Sequence, residues 1–147
     1  MGVTIDLTRR RLWGLVPVVV VVTAVIAIRS QRQVGIAQSF LDALKNGDRK
    51  AAEALSDASV RAAVARCFDG SCGDGPADQA VKLARTSAVS STSANVHTGW
   101  NERCVESGVR TPSGRHDLFL RLELRGDAWL VTGLSETRDD LGICRSD

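Results

Sequence analysis

The sequence predicts an α+β architecture: one N-terminal transmembrane helix followed by a domain of helices packed on one face of an antiparallel sheet. Three observations predict it. Residues 12–28 carry no charge, apolar side chains between residues 37 and 85 recur at helical spacing, and Leu118, Leu120, Leu122 and Leu124 alternate with Phe119, Arg121, Glu123 and Arg125. Helices early and antiparallel strands late place the helices on one face of the sheet. Of the 147 residues, those from 33 to 147 suffice for one apolar core and leave no room for a second domain.

The anchor comes first. As a helix, the 17 uncharged residues 12–28 would span roughly 25 Å, enough to cross hydrocarbon with every backbone group bonded inside the helix. Pro17 falls in the first turns, where few amide donors are lost, and Trp13 stands where an interfacial aromatic belongs. Arg9, Arg10 and Arg11 on the tail 1–11 oppose Arg29 and Arg32 beyond the run, an excess that puts the tail in the cytoplasm and the domain 33–147 outside it. The expected location is a cell membrane, crossed once. Two alternatives stay open. Val25-Ile26-Ala27 offers a small-residue context for cleavage of a signal peptide, and residues 8–13 resemble a twin-arginine export signal.

Charge excludes a nucleic-acid surface. The chain carries a formal +2, yet four of its 19 cations and one of its 17 acids precede Ser30, leaving 15 against 16 in the domain. No basic run stands there to release counterions from phosphates. Arginine outnumbers lysine sixteen to three, a bias of GC-rich coding that carries no functional argument.

The helices are read from periodicity. Ala37, Phe40, Leu41 and Leu44 form one face of a first helix, which Asn46-Gly47 stops. Asp48 can cap a second with Ala51, Ala52 and Leu55 inward. Ser59 can cap a third, on which Val60, Ala63, Val64, Cys67 and Phe68 line one side. Residues 69–76 break the pattern with Gly70, Gly73 and Gly75 and read as a loop. Pro76 then opens a short helix to about Ala84 or Arg85.

The strands follow. Residues 87–98, rich in Ser, Thr and Val, read as a polar strand and residues 100–105 as another; residues 108–114, with Pro112, read as a turn. The leucine alternation is a strand with one buried face, Gly126-Asp127 is a two-residue hairpin turn, and residues 128–134 return as its partner. Trp100 and Trp129 are expected to close the apolar face.

Four cysteines in a small domain make best sense as disulfides in an oxidising compartment. They allow three pairings. The short spacing of Cys67 and Cys72 makes a local bridge easy and leaves Cys104 for Cys144. The alternative is a zinc site drawing on these thiols with His97 or His116, although no pair of Cys-x-x-Cys motifs stands in the chain. No cofactor is expected.

The early Phe40-Leu41-Asp42-Ala43-Leu44-Lys45-Asn46-Gly47-Asp48 and the late Leu122-Glu123-Leu124-Arg125-Gly126-Asp127-Ala128-Trp129-Leu130-Val131 resemble the first helix and last hairpin of the nuclear transport factor 2-like superfamily, the cystatin-like α+β cone, in its membrane-anchored bacterial envelope branch. The resemblance covers roughly residues 33 to 136 and implies a curved sheet wrapped around helices with an internal pocket. Anchored domains of this type are similar to Mce-associated proteins of lipid transport and to the bitopic scaffold subunit of type IV secretion machines. The loop with Cys72 and the tail with Cys144 depart from that pattern.

The function so implied is an accessory or scaffold domain, held at the membrane, that binds an envelope protein complex or an apolar, lipid-like small molecule. The alternative is a pocket enzyme of the steroid-isomerase or dehydratase type, for which His97, His116 and Asp117 are the acid–base candidates by residue type. None of the three stands in a motif, and His116 and Asp117 begin a strand beside a turn, where a solvated pair is the ordinary outcome. Arg125-Gly126-Asp127 spells an integrin-binding tripeptide, but turn chemistry between two alternating strands accounts for it.

Overall fold

The computed structural model describes the backbone of residues 7–95, 100–142 and 144, and the side chains of residues 20–22, of Ala24 and, within that backbone, from residue 31 onward except Asn95. The chain divides into two units, Met1–Gln31 and Arg32–Asp147.

Helix α1, Leu7–Asn46, contains the whole uncharged run. Most side chains of the expected 12–28 anchor lie outside the described residues; Val20, Val21 and Val22 are described and exposed. Among the described residues no helix is long and apolar enough to cross a membrane.

In the second unit the end of α1 turns Ala37, Phe40, Leu41 and Leu44 into the core, each at most 1% exposed. Gly47 stops the helix as expected. Its positive φ of 75° lets its amide reach the Leu44 carbonyl at 3.3 Å and the next amide, of Asp48, reach that of Ala43 at 2.9 Å, a double capping that only a left-handed residue permits without strain. Asp48 then caps helix α2, Arg49–Ala54, by accepting from the Ala51 amide. Helix α3, Ala58–Phe68, is capped by Asp57 and not by Ser59: the Asp57 carboxylate takes the amides of Ser59 and Val60 and the Ser59 hydroxyl as well. An ionised acceptor at the positive end of the helix outcompetes a hydroxyl two residues later. Helix α4, Pro76–Thr86, opens on Pro76 as expected.

Four antiparallel strands follow in the order β1-β2-β3-β4: β1 Ala88–Asn95, β2 Glu102–Thr111, β3 Gly114–Arg125 and β4 Ala128–Ser135. The expectation of a long turn over 108–114 is overturned. Strand β2 continues through Gly108 and Val109, and the turn shrinks to Pro112-Ser113 between the paired Thr111 and Gly114. Gly108 belongs in the strand because a Cβ there would stand 2.7 Å from the Ser91 hydroxyl and 3.0 Å from the Arg115 guanidinium, so it marks a close approach and not a break. The β3–β4 hairpin turns at Gly126-Asp127 as expected, with positive φ at Gly126 alone, the requirement of a II′ turn.

One face of the sheet packs on the helices. Val105, Val109, Leu118, Leu120, Leu122, Val131 and Leu134 join the apolar faces of α1 to α4 in one continuous core. A parallel bridge between Ser56 and Val131 ties the α2–α3 joint to β4.

The leucine strand does not have a single buried face. The C-terminal tail crosses the far side of the sheet through a short 3-10 turn, Asp139–Leu141. It covers Phe119 together with Cys104 and Cys144. Gly133 admits the tail: a Cβ there would meet Leu141 at 2.7 Å. Arg138 lies over the Phe119 ring, 5.1 Å from its centroid, and pairs with Glu106 at 2.6 Å. Glu123, 8% exposed on this face, is held by Arg121 and Arg125. Trp129 packs against the core as expected. Trp100 does not: it is 83% exposed, because β2 begins two residues after it and it stands in the preceding turn, off the sheet's apolar face.

Candidate functional site

Both expected bridges are formed, Cys67–Cys72 and Cys104–Cys144, and no cysteine among the described residues is free. The second pins the tail to β2. The first closes the loop between α3 and α4. Gly70, with φ of 80°, ends α3, and the Ser71 amide returns to the Arg66 carbonyl at 2.9 Å, which swings Cys72 back beside Cys67.

Beside this bridge stands Asp78, in the first turn of α4 and only 4% exposed. The Arg66 guanidinium grips it with two bonds, Nε to Oδ1 at 3.0 Å and Nη2 to Oδ2 at 2.7 Å. The Gly73 amide donates to Oδ1 at 3.2 Å. The Arg66 bonds, with help from Gly73, hold the Asp78 carboxyl below the usual carboxylate range against the opposing push of burial. The bridged sulfurs lie 3.5 and 3.2 Å from the Asp78 carbonyl oxygen; having no proton, they touch it without hydrogen bonding. Cys67, Cys72 and Asp78 bring possible metal donors within 4.8 Å of one another. The two sulfurs are bonded to each other and the carboxylate to Arg66, so no thiolate is offered to zinc.

On the other side of the bridge the ends of α1, α3 and α4 surround a cleft of about 430 Å³, lined by Leu44, Lys45, Gly47, Cys67, Gly70, Cys72, Lys82, Arg85 and Thr86. Arg85 is fixed there. Its Nη1 donates to the Cys67 carbonyl at 2.7 Å, and its guanidinium lies over the Phe68 ring, 4.3 Å from the centroid, an arrangement that favours a cation.

The two described acid–base candidates, His116 and Asp117, do not assemble a site. His116 is exposed, with the Ser113 hydroxyl 3.4 Å from its Nε2. Asp117 is exposed, 3.8 Å from the Arg115 Nε. As neighbours on a strand they point to opposite faces. His97 lies outside the described residues. Arg125, Gly126 and Asp127 form the tight hairpin turn, with Arg125 paired to Glu123.

Sequence reasoning missed Asp78 and the cleft. An acid just after Gly-Pro at a helix start signals a favourable dipole contact, which was legible; its partner Arg66, twelve residues earlier, was not. The cations of the cleft are spread over forty residues and meet only in the fold. No protein-family model matches the chain, and no curated protein matches it.

Proposed function

We propose that the chain is a membrane-anchored extracytoplasmic accessory or scaffold domain of the nuclear transport factor 2-like type, which works by binding and not by catalysis. The observation that carries this reading is the pair of disulfides in a domain that follows, in the sequence, a run of 17 uncharged residues. The core supports binding at the surface over binding inside a cone: Leu118, Leu120, Leu122 and Val105 are fully covered by the protein's own side chains. The solvated, separated His116 and Asp117 offer no matched acid and base. Alkaline extraction of membranes from cells making the full chain tests the anchor. The chain stays with the membrane pellet on this reading, and its release into the supernatant counts against it.

A further inference from the structure

We propose that the cleft between the ends of α1, α3 and α4 binds a small amphiphilic anion, a carboxylate or phosphate monoester with a short apolar tail. The proposal stands on the cleft alone and does not require the anchor. Its volume of about 430 Å³ lies within the range of small-molecule sites. The walls divide by chemistry: Leu44 and the Cys67–Cys72 bridge give apolar surface, while Lys45, Lys82 and Arg85 bring three cations and, among the described residues, no acid lines the space.

Cations at helix ends ordinarily serve the helix carbonyls, and here several of those carbonyls are already engaged by other donors. The amides of Gly47 and Asp48 take the carbonyls of Leu44 and Ala43 at the end of α1. Arg85 takes that of Cys67 near the end of α3, and the Thr86 hydroxyl takes those of Lys82 and Leu83 in α4. Asp69, next to the cleft in sequence, is held by Arg49 at 2.6 Å. Among the described residues neither Lys45 nor Lys82 has a carboxylate partner. Two ammonium groups therefore stand uncommitted beside a fixed guanidinium and over an apolar wall. A charged head with a short tail satisfies both halves; a bare anion wastes the wall and a neutral chain wastes the charge.

The chain has three lysines, and the third, Lys50, is exposed and not part of the cleft, so lysine acetylation footprinting of the full chain mixed with phosphatidylcholine vesicles, which needs no insertion of the chain, carries its own control. Hexyl phosphate or hexanoate should slow acetylation of Lys45 and Lys82 several-fold and leave Lys50 unchanged. Inorganic phosphate should do so only at much higher concentration, and hexanol not at all. Lys82→Gln, a change at an exposed position, should weaken hexyl phosphate about tenfold, as read at Lys45, because one charged hydrogen bond is lost. Equal slowing at Lys50, no slowing at all, or equal potency of inorganic phosphate or hexanol would overturn the proposal. Protection by phosphatidylglycerol vesicles without added ligand would assign the cleft to a bilayer headgroup and overturn it as well.

Discussion

Replacing both Cys104 and Cys144 by Ala removes the bridge that closes the longer loop. The two bridges span separations of 40 and 5 residues. In the chain-entropy account, closing the longer loop is worth about 4 kcal/mol and the shorter about 2 kcal/mol. The structure widens the gap, because the Cys104–Cys144 bridge also holds the tail over Phe119, whereas the Cys67–Cys72 loop keeps the Arg66–Asp78 pair and the Gly73 amide bond when its sulfurs are removed. For a domain of this size each kcal/mol moves the melting temperature by about 4 °C. The C104A/C144A variant should therefore melt about 15 °C below the parent and C67A/C72A about 8 °C below it. Thermal unfolding of the full chain in detergent, followed by circular dichroism, reads both. Equal shifts, or a larger one for C67A/C72A, would refute the reasoning that loop length and the covered Phe119 set the order.

Leu122→Asp should unfold the domain, since a carboxylate at a fully buried position costs several kcal/mol, comparable to total stability; Arg110→Asp, at an exposed position of β2 opposite Ala88 and Arg115, should stay within about 0.5 kcal/mol of the parent in urea titration. Gly133→Ala should cost about 1–3 kcal/mol by pushing a methyl against Leu141 and Arg121, and should cost less in a Leu141→Ala background; equal costs in the two backgrounds would mean that the tail does not lie on Gly133. Asp78→Asn should destabilise by about 1–2 kcal/mol at neutral pH, discounted because Arg66 is half exposed. The folded-state pKa of Asp78 is lowered, so the native state binds fewer protons than the unfolded chain. The stability this gives is complete above about pH 4 and fades as pH falls through the depressed value. The gap between parent and variant should shrink only below about pH 4, and a gap that closes by pH 6 would contradict the assignment.

Much of the fold was legible because it rests on short-range signals. The spacing of Phe40, Leu41 and Leu44, the stop at Gly47, Pro76 at a helix start and the Gly126-Asp127 turn each act within a few residues of themselves, and each stands where periodicity and turn chemistry put it. What was not legible depends on distant approach. Gly108 reads as a breaker until Ser91 is brought beside it, and the second face of β3 reads as solvated until Arg138, Leu141 and Cys144 lie across it. The same holds for the candidate site. Lys45, Lys82 and Arg85 look like ordinary solvated charges along their own helices, and only the packing of α1, α3 and α4 gathers them around one space. The disulfide pairing was half legible: proximity in sequence favoured Cys67 with Cys72, and the second pair followed by elimination.

We propose above that the N-terminal segment holds the disulfide-bonded domain outside the cytoplasm. This is tested most directly by fusing, after Asp147, a phosphatase that gains activity only when its own disulfides form outside the cytoplasm, beside a matched fusion of a reporter active only inside. The expected result is phosphatase activity in the membrane fraction and silence from the cytoplasmic reporter. Activity of the cytoplasmic reporter alone would contradict it.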